Sequence, residues 1–224
     1  AGAAPAVLLI PADREALGDA VSAAAGKTTL VTVETDMTAW GAAASITMDH
    51  QALGAALGAA ALNGVPEGGT VLLLDSLPGD NGIRERMEAA KAVLEREGRQ
   101  ARVYKWDPDT TSLPDILRIE RPRAIIAFEA AALADVAELS RGEDAFPLLY
   151  GCGSTSGIAA ALEKGRVTAI TAVNVFSAGY LAVEAAAALA RHEDWTAAAP
   201  VAFSIVRQET MYDSDNQKLL FPVT

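Results

Sequence analysis

The chain has 224 residues, 51% of them hydrophobic and 21% charged, a composition that supports a buried core and excludes an intrinsically disordered chain. Eighteen Lys and Arg against twenty-nine Asp and Glu give a net charge of −11, which would repel a phosphate backbone and excludes nucleic acid as a partner. One cysteine, Cys152, and two histidines exclude an intrachain disulfide and a Cys/His zinc cluster.

Strand-like and helix-like segments alternate along the chain. Ala6 to Ile10 (AVLLI) reads as a buried strand, and Asp13 to Ala25 as a helix with Asp13 as its N-cap. The β-branched run Thr28 to Val33 is the next strand, Ser45 to Met48 a short extended piece, and Gln51 to Leu62 a small-residue helix closed by Asn63-Gly64. Val71 to Leu74 is an apolar strand that breaks into the loop Ser76 to Gly82 and re-enters a long helix ending at Gly98. Ala101 to Trp106 reads as a strand, Leu113 to Ile119 as a helix, Ala124 to Phe128 as a strand and Ala130 to Leu139 as a helix. Leu148 to Tyr150, Gly157 to Lys164, Val167 to Val173 and Ser177 to Arg191 continue as strand, helix, strand and helix. Val201 to Val206 is a last strand before an irregular tail. This alternation predicts an α/β fold, a doubly wound parallel sheet with helices on both faces. Ala1 to Ala6 has no basic n-region, so no signal peptide is expected, and Leu53 to Leu62 is too short to span a bilayer. The chain reads as soluble, and as either mature or truncated.

In open parallel sheets the ligand crevice lies beyond the carboxyl ends of the strands. Glu34, Asp36 and Glu129 each fall at or just past such an end, where carboxylates can bind sugar hydroxyls or act as acid and base; the alternative is a solvated charge. Arg84 lies in the first turn of the long helix, where a cation opposes the helix dipole unless a partner compensates. Arg84, Glu85, Arg86 and Glu88 also read as a surface charge pattern. Trp40 and Phe128 are candidates to stack on a sugar face, with packing as the other reading. His50 reads as a helix-terminal residue without chemistry, and His192, Trp106 and Trp195 as peripheral.

The segment Gly151 to Gly157 (GCGSTSG) has the spacing G-x-G-x-x-x-G rather than that of a dinucleotide fingerprint, so no nucleotide cofactor is expected. Neither Ser154 nor Ser156 has the glycines of a nucleophile elbow, and Cys152 reads as a small packed side chain. An enzyme would need a nucleophile–base pair or a cofactor motif; the sequence offers neither, and no metal site.

In order and spacing these segments resemble the type I periplasmic solute-binding proteins, the ribose- and galactose-binding family whose fold the LacI-type effector domains share. AVLLIPAD (Ala6 to Asp13), TLVTVETD (Thr29 to Asp36) and ITMDHQALG (Ile46 to Gly54) are similar to the family's first-lobe strands and its crossover into the second lobe. Ser76-Leu77-Pro78-Gly79 through Arg84-Glu85-Arg86 is similar to the ribose-type loop G-I-P-G…R-E-R. Ala124 to Leu133 and Leu149 to Gly153 resemble the segments carrying "nD" and "GfD", and Ala160 to Ala182 the helix, strand and helix that return to the first lobe.

The resemblance implies two doubly wound lobes closing around a small ligand in an interlobe cleft. Residues 1–48 and 174–200 would be a partial N-terminal lobe, and 49–173 and 201–224 the C-terminal lobe. It implies a substrate-binding protein of an ABC-type importer for a sugar or sugar-like solute, without catalysis, outside the cytoplasm (periplasmic or lipid-anchored), with permease subunits as partners. The alternative is the ligand-sensing domain of a LacI-type regulator or receptor. Carried over by position, Arg84 matches the ring-hydroxyl-binding arginine and Glu34 the first-lobe acid. Phe128 stands at the family's ligand-binding Asn, Glu129 at its Asp, and Gly153 at the "GfD" aspartate. Val173 replaces a polar ligand residue, leaving Asn174 beside it. With three polar contacts replaced, the expected ligand is less hydroxylated than a standard pentose or hexose, or differently shaped. Family members begin with about two further βα units, so this chain reads as a fragment, or as one whose exposed sheet edge is covered by self-association.

Overall fold

The computed structural model describes residues 5–110, 112–142, 145–196 and 199–221. In chain order the first elements are β1 (Ala6–Leu9), α1 (Arg14–Ala25), β2 (Thr29–Glu34), β3 (Ala44–Thr47) and α2 (His50–Leu62). There follow β4 (Thr70–Asp75), α3 (Asn81–Arg96), β5 (Gln100–Lys105), α4 (Leu113–Glu120), β6 (Ala124–Ala127) and α5 (Ala130–Leu139). The chain continues through β7 (Leu148–Cys152), α6 (Ser156–Glu163), β8 (Ala169–Val173), α7 (Val175–Ala190), β9 (Phe203–Arg207) and α8 (Ser214–Leu220).

These elements fall into two compact units, one of Ala1–Asp49, Gly79–Gly82 and Asn174–Ala202, the other of His50–Pro78, Ile83–Val173 and Phe203–Thr224. In the first unit the described strands form a three-stranded parallel sheet in the order β1-β2-β3, with Val7 opposite Leu30 and Val31 opposite Ala44. Asp13 caps α1 as its sequence position implies, its carboxylate accepting from the Ala16 N–H at 2.9 Å. Trp40 packs over Gly18 of α1: a Cβ on that glycine would lie 2.2 Å from the indole nitrogen. The Trp40 ring is thus a packing element, set against a small core that includes Val21, Leu30 and Met37.

The second unit holds a six-stranded sheet in the order β5-β4-β6-β7-β8-β9. Its central strands are buried on both faces, so they read as unbroken apolar runs. Leu72, Leu74, Ile125 and Leu149 pack in one core; Val71, Leu73, Ile126 and Tyr150, their neighbours by the twofold alternation of a strand, pack in the other.

Four sequence expectations change here, the first being that Ala6 to Ile10 is a buried strand: Val7 is 39% and Leu8 45% exposed. The sheet is parallel only as far as β8; β9 runs antiparallel to it, with Ala169 opposite Arg207. The cause is local, because the connection from Asn174 to Ala202 returns to where it left, the Asn174 N–H lying 3.5 Å from the Ala202 carbonyl, so the chain must run back along β8. The tail is not irregular: it forms α8, and Met211 and Leu220 are buried in the core. Trp106 is not peripheral but 4% exposed, packed in the same core.

Candidate functional site

The chain leaves β4 for β5 on one side of the sheet, and β6 for β7 on the other. The adjacent carboxyl ends of β4 and β6 are therefore the switch point at which open α/β sheets bind ligands. Ser76 leaves the first of these ends, and Phe128 and Glu129 leave the second.

Glu129 is the N-cap of α5. One carboxylate oxygen accepts from the Ala131 N–H at 2.7 Å, the other from the Ala132 N–H at 3.3 Å and from the Ser76 hydroxyl at 3.1 Å. A single carboxylate thus satisfies orphan donors of the helix and ties the two strand ends together.

Arg86 reaches this place from α3. Its Nε donates to His50 Nδ1 at 3.1 Å, and one terminal nitrogen donates to the Phe128 carbonyl at 3.0 Å. His50 therefore presents Nδ1 as an acceptor to the guanidinium. The approach depends on glycine. A Cβ on Gly54 would stand 1.9 Å from the Arg86 carbonyl oxygen, and one on Gly58 would stand 2.9 Å from that of Ala90. The G-x-x-x-G spacing in α2 leaves a bare strip against which the α3 backbone seats, bringing Arg86 level with His50.

In the first unit, Glu34 ends β2 at φ 71°, a left-handed conformation uncommon for a residue with a side chain. Asp36 accepts from both the N–H and the hydroxyl of Thr38, each at 2.8 Å. Partial burial is the largest single influence on its carboxyl and pushes upward, but the Thr38 bonds and Ser45 together hold it below the ordinary 3.8. Asn174 is the N-cap of α7, accepting from the Ser177 N–H at 2.9 Å.

Of the residues expected from sequence, the fold gathers Phe128 and Glu129 at the switch point, together with Arg86, which the sequence places beside Arg84 without preferring it, and with His50 and Ser76, which sequence reasoning did not single out. Of its two readings, Phe128 takes packing: its ring is 0% exposed in the core, and its carbonyl accepts from Arg86. Arg84 is exposed on α3, two residues from Arg86. Glu34, Asp36 and Asn174 lie in the other unit. Gly153, at the position of the family's aspartate, has φ 127°, and a Cβ there would lie 2.8 Å from that of Ala130, so no side chain fits. Cys152 is buried and accepts from the Thr171 hydroxyl at 3.1 Å. Among the described residues no group of three His, Cys, Asp or Glu is placed to hold a metal ion, and no helix is long and apolar enough to cross a membrane.

The fold matches those of solved sugar-binding proteins. A solute binding protein of an ABC transporter from Agrobacterium vitis, with bound D-fucose, superposes with a TM-score of 0.86 at 16% identity, covering 97% of this chain and 79% of its own. A carbohydrate transporter solute binding protein from Agrobacterium radiobacter, in complex with D-arabinose, gives 0.87 at 18%, covering 96% and 78%. A second ABC transporter solute binding protein from Agrobacterium vitis, bound with alpha-D-tagatopyranose, gives 0.87 at 14%, covering 98% and 80%. At these identities the likeness establishes the type I periplasmic binding protein fold. No curated protein matches the chain by sequence. The family model described as the periplasmic binding protein domain matches residues 1–194, and the chain belongs to that family.

Proposed function

We propose that the chain is the solute-binding component of an ABC-type importer and takes a sugar or sugar-like solute by binding alone, without catalysis. The observation that carries this reading is that Arg86, bonded to the Phe128 carbonyl, and the bonded pair Ser76 and Glu129 stand at the same β4/β6 switch point. A guanidinium, a carboxylate and a hydroxyl at one strand-end crevice suit a ligand with several hydroxyl groups and no net charge. The sugars bound by the three related structures support the same class. In this reading the first unit is the partial N-terminal lobe and the second the C-terminal lobe. Glu34, Asp36 and Asn174 are ligand-contact candidates on the first unit, and on the second Arg84 has a weaker part than Arg86. Permease subunits are the partners, and the protein works outside the cytoplasm.

Isothermal titration of the chain against D-fucose, D-arabinose, D-tagatose and a set of polyols tests this. Saturable binding of at least one sugar, at least tenfold weaker in Arg86→Ala, is expected. No heat from any of them would remove the proposal.

A further inference from the structure

At the other end of the six-stranded sheet, where β6 and β7 begin, a pocket of about 680 Å³ opens between α4 and the segment leading into β7. That volume lies within the roughly 300–1,000 Å³ typical of small-molecule sites. Leu113 and Leu117, one turn apart on α4, line it with Phe146, and all three also pack on the core. Arg118, Arg121 and Arg123 supply its charge.

Those charges run against the rest of the chain. The net charge is −11, and Arg14, Arg96, Arg141 and Arg191 each pair with a neighbouring glutamate. Arg118 pairs with Asp115 at 3.3 Å. Arg121 and Arg123 do not pair: like Arg84 and Arg102 elsewhere on the chain, both are exposed, and among the described residues neither guanidinium has an ion pair or hydrogen bond. Arg121 ends α4 in the left-handed conformation, φ 45°, and this sharp stop sets it and Arg123 at the same pocket. A concave apolar surface with two unpartnered forks at its rim is a local positive site on an acidic protein.

We propose that this pocket is a second binding site, for a small amphipathic carboxylate. The apolar part of the ligand lies on Leu113, Leu117 and Phe146, and its carboxylate is held by Arg121 and Arg123. The concavity selects a small molecule over an acidic peptide, which would need a longer and flatter surface. Because it lies at the amino ends of the strands, the site is independent of the sugar reading, and either can fail without the other.

Octanoate is the probe, with octanol and acetate isolating its two parts. Calorimetry is expected to give one saturable octanoate site per chain, with octanol and acetate each at least tenfold weaker. The double variant R121Q/R123Q should weaken octanoate at least tenfold, while R96Q, whose arginine lies on a different helix, α3, and pairs with Glu97, leaves it unchanged. Both arginines replaced are exposed, and an unchanged thermal midpoint would show that the double variant keeps its fold. Absence of a saturable octanoate site, octanol binding as tightly as octanoate, or full binding by R121Q/R123Q would overturn the proposal. So would an acidic peptide that binds the pocket more tightly than octanoate.

Discussion

The two sheets are built from nearly the same kind of sequence and end in different surroundings. β1 reads AVLL and β4 reads TVLLLD, and both are apolar runs of the sort a parallel sheet buries. In β4 the four residues Val71 to Leu74 are fully buried, with strands on both sides and helices on both faces. In β1, at the edge of its sheet, Val7 is 39% and Leu8 45% exposed, and α7 of the same unit exposes Phe176, Tyr180 and Val183. An apolar run states that a strand is to be covered; whether it is covered depends on neighbours that the run does not encode.

The largest effect that would sharpen this contrast is in the cores. Leu73→Ala, at a fully buried position, should lose about 2–5 kcal/mol in chemical denaturation. Leu8→Ala should lose less than about 1 kcal/mol, since much of its side chain is already in water. Equal losses would mean that β1 is covered in solution, by self-association or otherwise.

Glycines give the next comparison. Gly54→Ala forces a methyl into the Arg86 carbonyl and should cost at least the roughly 1–3 kcal/mol of an overpacked core, while displacing Arg86 and weakening any sugar bound. Gly179→Ala in α7, where nothing lies within 4 Å of the new methyl, should instead stabilise by about 0.5–1 kcal/mol. Melting temperatures of the two variants would then move in opposite directions.

The smallest effect is on pH. Asp36 has a lowered folded-state pKa, so its contribution is present above the ordinary value of 3.8 and is lost as pH falls through the lower folded value. Asp36→Asn should therefore flatten the acid side of the stability profile slightly and leave stability near pH 7 reduced by a small amount. An unchanged acid limb would mean that the Thr38 bonds do not persist in solution.

Most of the fold was legible because its cues are local. Asp13, Asn174 and Glu129 each cap the helix that follows them, and the strands announce themselves as apolar runs between turns. The antiparallel β9 was not legible, since its direction is set by where a 29-residue excursion, Asn174–Ala202, returns to the sheet. The choice between Arg84 and Arg86 was within reach. Residues two apart on a helix point about 200° apart, so only one can face the sheet ends. Ile83, Ala90 and Leu94 mark the buried stripe of α3, and Arg86 is spaced to share it where Arg84 is not. The role of Gly54 and Gly58 was hidden in a run of small residues, because a glycine chosen for close approach shows its purpose only beside its partner. Glu129 was legible as a carboxylate at a strand end, whereas its bonds to the α5 N–H groups and to Ser76 were not.

The most direct test of the central claim is sugar titration of the chain alongside Arg86→Ala and Arg84→Ala. The expected result is saturable binding of a sugar, weakened at least tenfold by the first substitution and much less by the second. A chain that binds no sugar, or one whose affinity ignores Arg86, would contradict it.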